Sequence, residues 1–447
     1  MSAKYKDLNL GELIESSKHD PVGVFRAARQ LYEDAISENS TDIDIKNRML
    51  NLYWISRTIH DVSVNKNFSG TSALIEHKPR QYDMGREPHV LLSKVKDFEK
   101  IDQYMTRLTG LFEKGNSYGV GEFWKEKQNS VLRFIFPDEI DNFKRTYGHV
   151  LSNFLPSSFD GHVRDLMEFI MNVNDCTISS DEFEPYEEAH FERINARISS
   201  FSIRGRFETQ HNFYAFYTSI LWRKAVFLDD CKVMCGVQES VIGNPYRIRR
   251  RGELISQDIA RSSTEYNIIK TTIGKKANNI VLEIGAGYGR LCEIFIQRGT
   301  KKYIIVDIFP SIYLAEQYMK ARFPNLQIFP AQDFEKFDEV QNQIDAASIV
   351  FLHPCQIALL PDGYTDLVIN INSFMEMSVP EVNSYFKEID RLSAGYLYIK
   401  QWIENKSKSG VHQFNRNNYP VSKSWFKCLD RIDPLHSDFF EQIWKIE

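Results

Sequence analysis

At 447 residues, with 43% hydrophobic and 26% charged residues, the chain is long enough for two or three domains with ample core and has the composition of an ordinary soluble globular protein. A formal net charge of -5 argues against a general affinity for nucleic acid or anionic membranes. No apolar stretch approaches the about 20 residues needed to span a bilayer, the N-terminus has no apolar signal core, and the six cysteines show neither zinc spacing nor paired C-x-x-C sets. A reduced, cytoplasmic protein is the expectation.

Residues 1–235 read mainly as helices. Asp20-Pro21 supplies a cap and first turn for a helix from Val22 to Ile36. Apolar residues recur at three and four over Ile43–Val64, Leu91–Phe112, Phe123–Phe136, Val163–Val173 and Phe213–Phe227. Turn-rich stretches at 67–71 and 156–161 separate them. This region carries no catalytic motif and is assigned to acceptor recognition or homo-oligomer contacts. Residues 236–275 read as a connector containing Gly243-Asn244-Pro245-Tyr246 and the basic run Arg247-Ile248-Arg249-Arg250-Arg251. Guanidinium forks suit phosphate, so Tyr246, Arg247 and Arg249 are candidates to bind an acceptor. The plainer alternative is a solvated charged face.

From residue 276 the pattern alternates. Strands are expected at 279–284, 303–307, 326–330, 347–352, 366–371 and 395–402, and helices at 288–298, 311–322 and 379–392. The tail Asp438–Ile446 alternates apolar and polar residues, as an antiparallel last strand would. The fold class is therefore α/β, a mostly parallel sheet with helices on both faces. In such sheets ligands bind beyond the carboxyl ends of the strands.

The run Val281-Leu282-Glu283-Ile284-Gly285-Ala286-Gly287-Tyr288-Gly289-Arg290 reads as strand, glycine turn and helix start. Tyr303-Ile304-Ile305-Val306 then ends at Asp307-Ile308, roughly twenty residues further on, where a βαβ unit places an acid on a ribose. The glycines do not follow the G-x-G-x-x-G dinucleotide order, which disfavours an NAD-dependent oxidoreductase. The set resembles the cofactor site of the class I S-adenosylmethionine-dependent methyltransferases. The resemblance implies a Rossmann-like domain over 276–447. Backbone at Gly285, Ala286, Gly287, Tyr288 and Gly289 would approach the methionine part without a Cβ clash. Glu283 would add negative charge near the ammonium or sulfonium. Asp307, acceptor-only when ionised, would take two hydrogen bonds from the ribose diol, with Ile308 beside it and Asp333 near the adenine edge.

A second set is narrower: Asn370-Ile371-Asn372-Ser373-Phe374-Met375-Glu376-Met377, Gly243-Asn244-Pro245, Val350-Phe351-Leu352-His353-Pro354 and Gly395-Tyr396-Leu397-Tyr398-Ile399. It resembles the sugar O-methyltransferase family over roughly residues 240–447, with position 353 a departure from that pattern. The resemblance implies methyl transfer to a hydroxyl of a sugar, nucleotide sugar or glycan. An alkyl hydroxyl needs a base as the new bond forms. Glu376 is the first candidate, His353 the second and His412, in a late loop, the third. Asn370, Asn372 and Ser373 are candidates for the cofactor's amino acid end or the acceptor, or else end their strand with local turn bonds. No metal motif is present; Asp366 and Glu376 are too few oxygens for magnesium. The alternatives are a methyltransferase for a protein, lipid or other small molecule, and a non-catalytic scaffold of the same fold.

Overall fold

The computed structural model describes residues 143–146, 166, 169, 215, 217–250, 252–274, 279–309, 311–403 and 414–446. Most of the expected N-terminal helices, and the loop bearing His412, lie outside these. The chain divides into two compact units. One holds Phe154–Leu228 and Tyr246–Ala260 together with residues 1–80, and the other holds Gln81–Asn153, Asp229–Pro245 and Arg261–Glu447.

Within the first unit, residues 217–227 are helical, matching the apolar spacing there. The basic run contributes a strand to a hairpin. Strands β1 (Ile248–Arg250) and β2 (Glu253–Ile255) pair antiparallel, Arg249 opposite Leu254. Gly252 at φ 86 supplies the left-handed residue that a two-residue hairpin needs. Ile248 and Ile255 are buried.

Helix α1 (Gln257–Ile273) occupies the C-terminal part of the expected connector. Its buried face is largely polar, with Ser262, Glu265 and Asn267 among the residues removed from water. An apolar-periodicity reading passes over such a helix. Burial of these three is tolerated because each is partnered, Ser262 and Glu265 by Arg290 and Asn267 by the Cys231 N–H, which it accepts at 2.9 Å.

The second unit is built on an eight-stranded sheet. Its strands are β3 (Ile280–Ile284), β4 (Lys302–Val306), β5 (Ile328–Phe329), β6 (Ile349–Leu352), β7 (Thr365–Ile371), β8 (Ser393–Trp402), β9 (Phe426–Ile432) and β10 (Phe439–Lys445). The spatial order is β5-β6-β4-β3-β7-β8-β10-β9. The first six are parallel; β10 runs antiparallel to β8, and β9 to β10. The expected α/β class with an antiparallel final strand is what the chain forms. Val281, Leu282, Ile304, Ile305, Val350 and Phe351 have no appreciable exposure, the near-continuous apolar runs of strands covered on both faces.

Helices α2 (Arg290–Gln297), α3 (Ser311–Arg322), α4 (Phe337–Ala346) and α5 (Val379–Leu392) flank the sheet. On α5 the residues Val382, Tyr385, Phe386, Ile389 and Leu392 make one stripe, which packs with Leu282, Val368 and Leu397. Chain order leaves β3 toward β4 on one side and returns to β7 on the other. This reversal is the switch point at which open α/β sheets bind ligands.

Candidate active site

The turn after β3 is held by its neighbours. The Gly285 N–H donates to the Val306 carbonyl at 2.8 Å. Gly285 has φ 74, and a Cβ there would stand 2.2 Å from Ser373 Oγ, so both backbone shape and space demand glycine. Gly287, at φ 60, donates its N–H to Asp307 Oδ2 at 2.8 Å. The other oxygen, Oδ1, accepts the Ile308 N–H at 2.7 Å. Asp307 thus ties the end of β4 to the glycine turn. Burial, with the charges of Glu283 and Glu376 adding to it, outweighs these two donors and pushes the carboxyl up to about 7.

Glu283 faces the sheet–helix layer rather than the turn. Its Oε2 accepts the Tyr303 hydroxyl at 2.7 Å, and burial raises it to about 7. Arg290, the first residue of α2, forks onto Glu265 of α1 at 2.6 and 3.1 Å and reaches Ser262 Oγ at 2.7 Å. Lys400 joins Glu265 at 3.0 Å and Asp433 at 2.7 Å. Burial alone would raise the Glu265 carboxyl, but Arg290 and Lys400 overrule it and hold it at about 2. Ala286 and Tyr288 are buried, and the Tyr288 ring packs against Tyr318 of α3.

Beyond β7 the chain makes a tight turn. The Asn370 amide is spent internally. Its Nδ2 donates to the Ile284 carbonyl at 2.9 Å and to Ser373 Oγ at 3.0 Å, and its Oδ1 accepts from the Phe374 N–H at 3.1 Å and Gln401 Nε2 at 2.5 Å. Of the two roles open to Asn370 and Ser373, the local turn bonds describe the structure. Gln401, fully buried on β8, carries no local signal in the sequence; its partners Asn370 and Met375 lie 31 and 26 residues away. Asn370→Ala would leave the Phe374 N–H without its acceptor and strip Gln401 Nε2 of its short bond to Oδ1, leaving it only the Asn370 backbone carbonyl at 3.3 Å. We expect it to lower unfolding free energy by about 2 kcal/mol, measured by chemical denaturation.

Asn372 differs. It sits at φ 57 with its N–H on the Lys400 carbonyl at 2.9 Å, and its Oδ1 is buried without a donor. Left-handed backbone at a non-glycine residue is a strain that structures retain where a site is overdetermined. Glu376 ends the single turn Phe374–Glu376, half-buried, with its N–H on the Ser373 carbonyl at 3.0 Å.

His353 follows β6, whose Leu352 carbonyl accepts the Asp307 N–H at 3.4 Å. It is buried, with Nδ1 3.2 Å from Cys355 Sγ, and burial lowers its pKa to about 4. A base should titrate near working pH, so His353 is neutral and poorly suited to that role. Asp333 is exposed and follows β5, which pairs with β6 and not with β4. The residues flanking Asp307 on that side are therefore His353 and its followers, and Asp333 stands one strand further out. Tyr246, Arg247 and Arg249 belong to the first unit. There Arg247 is exposed, and Arg249 donates to the Gly252 carbonyl at 3.0 Å. His412 lies outside the described residues. Among the described residues no three His, Cys, Asp or Glu side chains converge as a metal site would require.

Asp307 with its raised carboxyl, the glycine backbone 285–289 and the Asn372 Oδ1 that has no donor all lie at the carboxyl ends of β3, β4 and β7. Cation binding favours the ionised carboxylate, so affinity for a sulfonium ligand should rise as pH climbs through about 7. Calorimetry at pH 6 and pH 8 should show a larger gain for S-adenosylmethionine than for the uncharged thioether S-adenosylhomocysteine. For the ligand-free protein the sign is opposite. A carboxyl raised from 3.8 to about 7 on folding contributes stability that is present below its ordinary value and lost as pH rises through 7. The free protein should melt lower at pH 8 than at pH 5.5.

No family model and no curated protein matches the chain. Solved structures do resemble it in part. An S-adenosylmethionine-dependent methyltransferase from Aquifex aeolicus is 17% identical, over 41% of this chain and 89% of its own, with a TM-score of 0.27. The PH0226 protein from Pyrococcus horikoshii OT3 is 16% identical over 43% and 92%, with a TM-score of 0.31. The glycopeptide N-methyltransferase MtfA, solved with S-adenosylmethionine, is 12% identical over 41% and 86%, with a TM-score of 0.27. The assignment of the fold rests on the strand order described above.

Proposed function

We propose that this chain is an S-adenosylmethionine-dependent methyltransferase whose acceptor is a sugar hydroxyl in a glycan or activated sugar precursor. The observation that supports the first part is the meeting of three elements at the carboxyl ends of β3, β4 and β7. These are the glycine turn 285–289, Asp307 bonded to Gly287, and the strained turn at Asn372 leading to Glu376. The sugar acceptor rests on the resemblance carried by Gly243-Asn244-Pro245 and the Asn370–Met377 turn.

When bound, the cofactor supplies a methyl group on a positively charged sulfur. Asp307 keeps lone pairs beyond the two its backbone donors use, enough to accept from a vicinal diol. Asn372 Oδ1 accepts an N–H or O–H at the crevice. Glu376 accepts the proton from the acceptor hydroxyl, and the surrounding turn holds that oxygen in line, which is positioning work. Arg247, Arg249 and Tyr246 are proposed to serve a phosphorylated or acidic acceptor.

Calorimetric titration of the full chain with S-adenosylmethionine, S-adenosylhomocysteine and NAD tests the cofactor. Micromolar binding of the first two and none of NAD is expected. Well-folded protein that binds neither would overturn the reading. Incubation with sugars and nucleotide sugars, read as a gain of one methylene in mass, then tests the acceptor. Gain only on protein, lipid or other small-molecule acceptors would overturn the sugar assignment alone.

A further inference from the structure

The Gly243-Asn244-Pro245 stretch is not part of the site just described, yet it shares a contact with it through a third segment. The helical turn Phe143–Thr146 docks against it, the Lys144 N–H donating to the Gly243 carbonyl at 2.9 Å. A Cβ at Gly243 would stand 2.3 Å from the Phe143 ring, so the position must be glycine for the two to meet. Phe143 in turn packs edge-on to Tyr288 at 5.0 Å and to Tyr318 of α3 at 5.5 Å, and those two rings meet at 5.3 Å. The Lys144 ammonium sits over all three rings, 4.6 Å from the Tyr318 centroid and 5.2 Å from that of Tyr288, within cation–π range. It pairs with Glu239 at 2.5 Å and bonds the Tyr318 hydroxyl at 3.1 Å. That hydroxyl donates to Glu293 at 2.6 Å, and Glu293 accepts from Arg322 at 2.7 Å.

Tyr288 is the handle of the glycine turn. It stands between Gly287 at φ 60 and Gly289 at φ 87, two residues with no side chain to fix their own backbone. Tyr288, 2% exposed, is therefore the side-chain anchor of the peptide 287–289, beside the Gly287 N–H bond to Asp307 and the Gly289 N–H bond to the Ala286 carbonyl at 3.0 Å. We propose that Lys144 is a positioning residue for cofactor binding, fastening the Tyr288 ring and so the glycine turn from behind. This rests on the functional reading above. It gives the Gly243 stretch a physical role and links a segment of the N-terminal half to the cofactor site.

The test uses the full chain with Lys144→Met, Lys144→Arg and, as a control of comparable melting loss outside the Phe143–Tyr288–Tyr318 cluster, Ile389→Ala in α5. S-adenosylhomocysteine affinity is measured by calorimetry and amide exchange at 285–289 by mass spectrometry. Lys144→Met should weaken binding by about tenfold or more, as loss of a buried charged hydrogen bond does, and should speed exchange of the turn. Lys144→Arg should recover most of both, and Ile389→Ala should leave both within about twofold of the parent. Equal losses in Ile389→Ala, or unchanged affinity in Lys144→Met, would overturn the proposal. If Lys144→Met fails to fold, Phe143→Leu and Lys144→Arg carry the same comparison against the control. A parent chain that binds no S-adenosylhomocysteine overturns the functional reading instead, and the exchange arm still decides whether Lys144 holds the turn.

Discussion

Asp307→Ala should weaken S-adenosylmethionine binding by about a hundredfold or more, enough to lose it from a calorimetric titration. Two losses combine. The substitution removes the carboxylate proposed to accept the ribose hydroxyls, and it leaves the Gly287 and Ile308 N–H groups without their acceptor. The second loss frees the glycine turn, so the two are not independent and the total exceeds a single lost contact. Asp307→Asn separates charge from shape and should be nearly as damaging. Each carboxylate oxygen accepts a backbone N–H, so whichever side the amide nitrogen takes, it meets another donor. The measurement belongs at pH 8, above the value of about 7 to which burial has raised the group. A retained melting transition with lost binding would support the assignment. Asp307→Ala binding within a few-fold of the parent would remove Asp307 from the site.

The parts of this molecule legible from sequence are those encoded locally. Helices at 311–322 and 379–392 have the expected bounds, and the strands 280–284 and 302–306 lie within a residue of theirs, because each carries its own apolar period. The turn Gly285–Gly289 and Asp307 were visible because the chemistry fixes their separation. Helix α4 was passed over, with Phe337, Val340 and Ile344 its only buried residues in an otherwise polar stretch. Strand β9 lies at the sheet edge with most of its residues exposed, and shows no apolar face. What could not be read is pairing. Periodicity does not say that β6 inserts between β5 and β4, and that insertion moves Asp333 away and brings His353 beside Asp307. Neither does it show that Gln401 holds Asn370, that Glu265 joins Arg290 to Lys400, or that Tyr288 points inward to Lys144. Each of those depends on residues tens or hundreds of positions apart.

Glu376→Gln is expected to lower kcat by about 10²–10⁴-fold while S-adenosylhomocysteine affinity stays within about threefold of the parent. The simplest structural role for Glu376 is a carboxylate at a helix start, favoured by the dipole. That role is already filled: α5 begins at Val379 behind Ser378, and Glu381 accepts the Ser378 N–H at 2.7 Å. Glu376 lies before this cap, in the turn that follows the strained Asn372, and its charge reaches Asp307. Glutamine keeps the volume and the polar contacts but takes up no proton. His353→Gln is the contrast. A histidine held near 4 is already neutral at working pH and a weak base, so its loss should cost less than about tenfold in kcat. A third readout separates a base from a fold defect. Removing the Glu376 charge lowers the Asp307 pKa, so the pH at which S-adenosylmethionine binding is half-gained should move down in Glu376→Gln. If that midpoint moves and kcat does not fall, Glu376 tunes the cofactor site and the proton goes elsewhere.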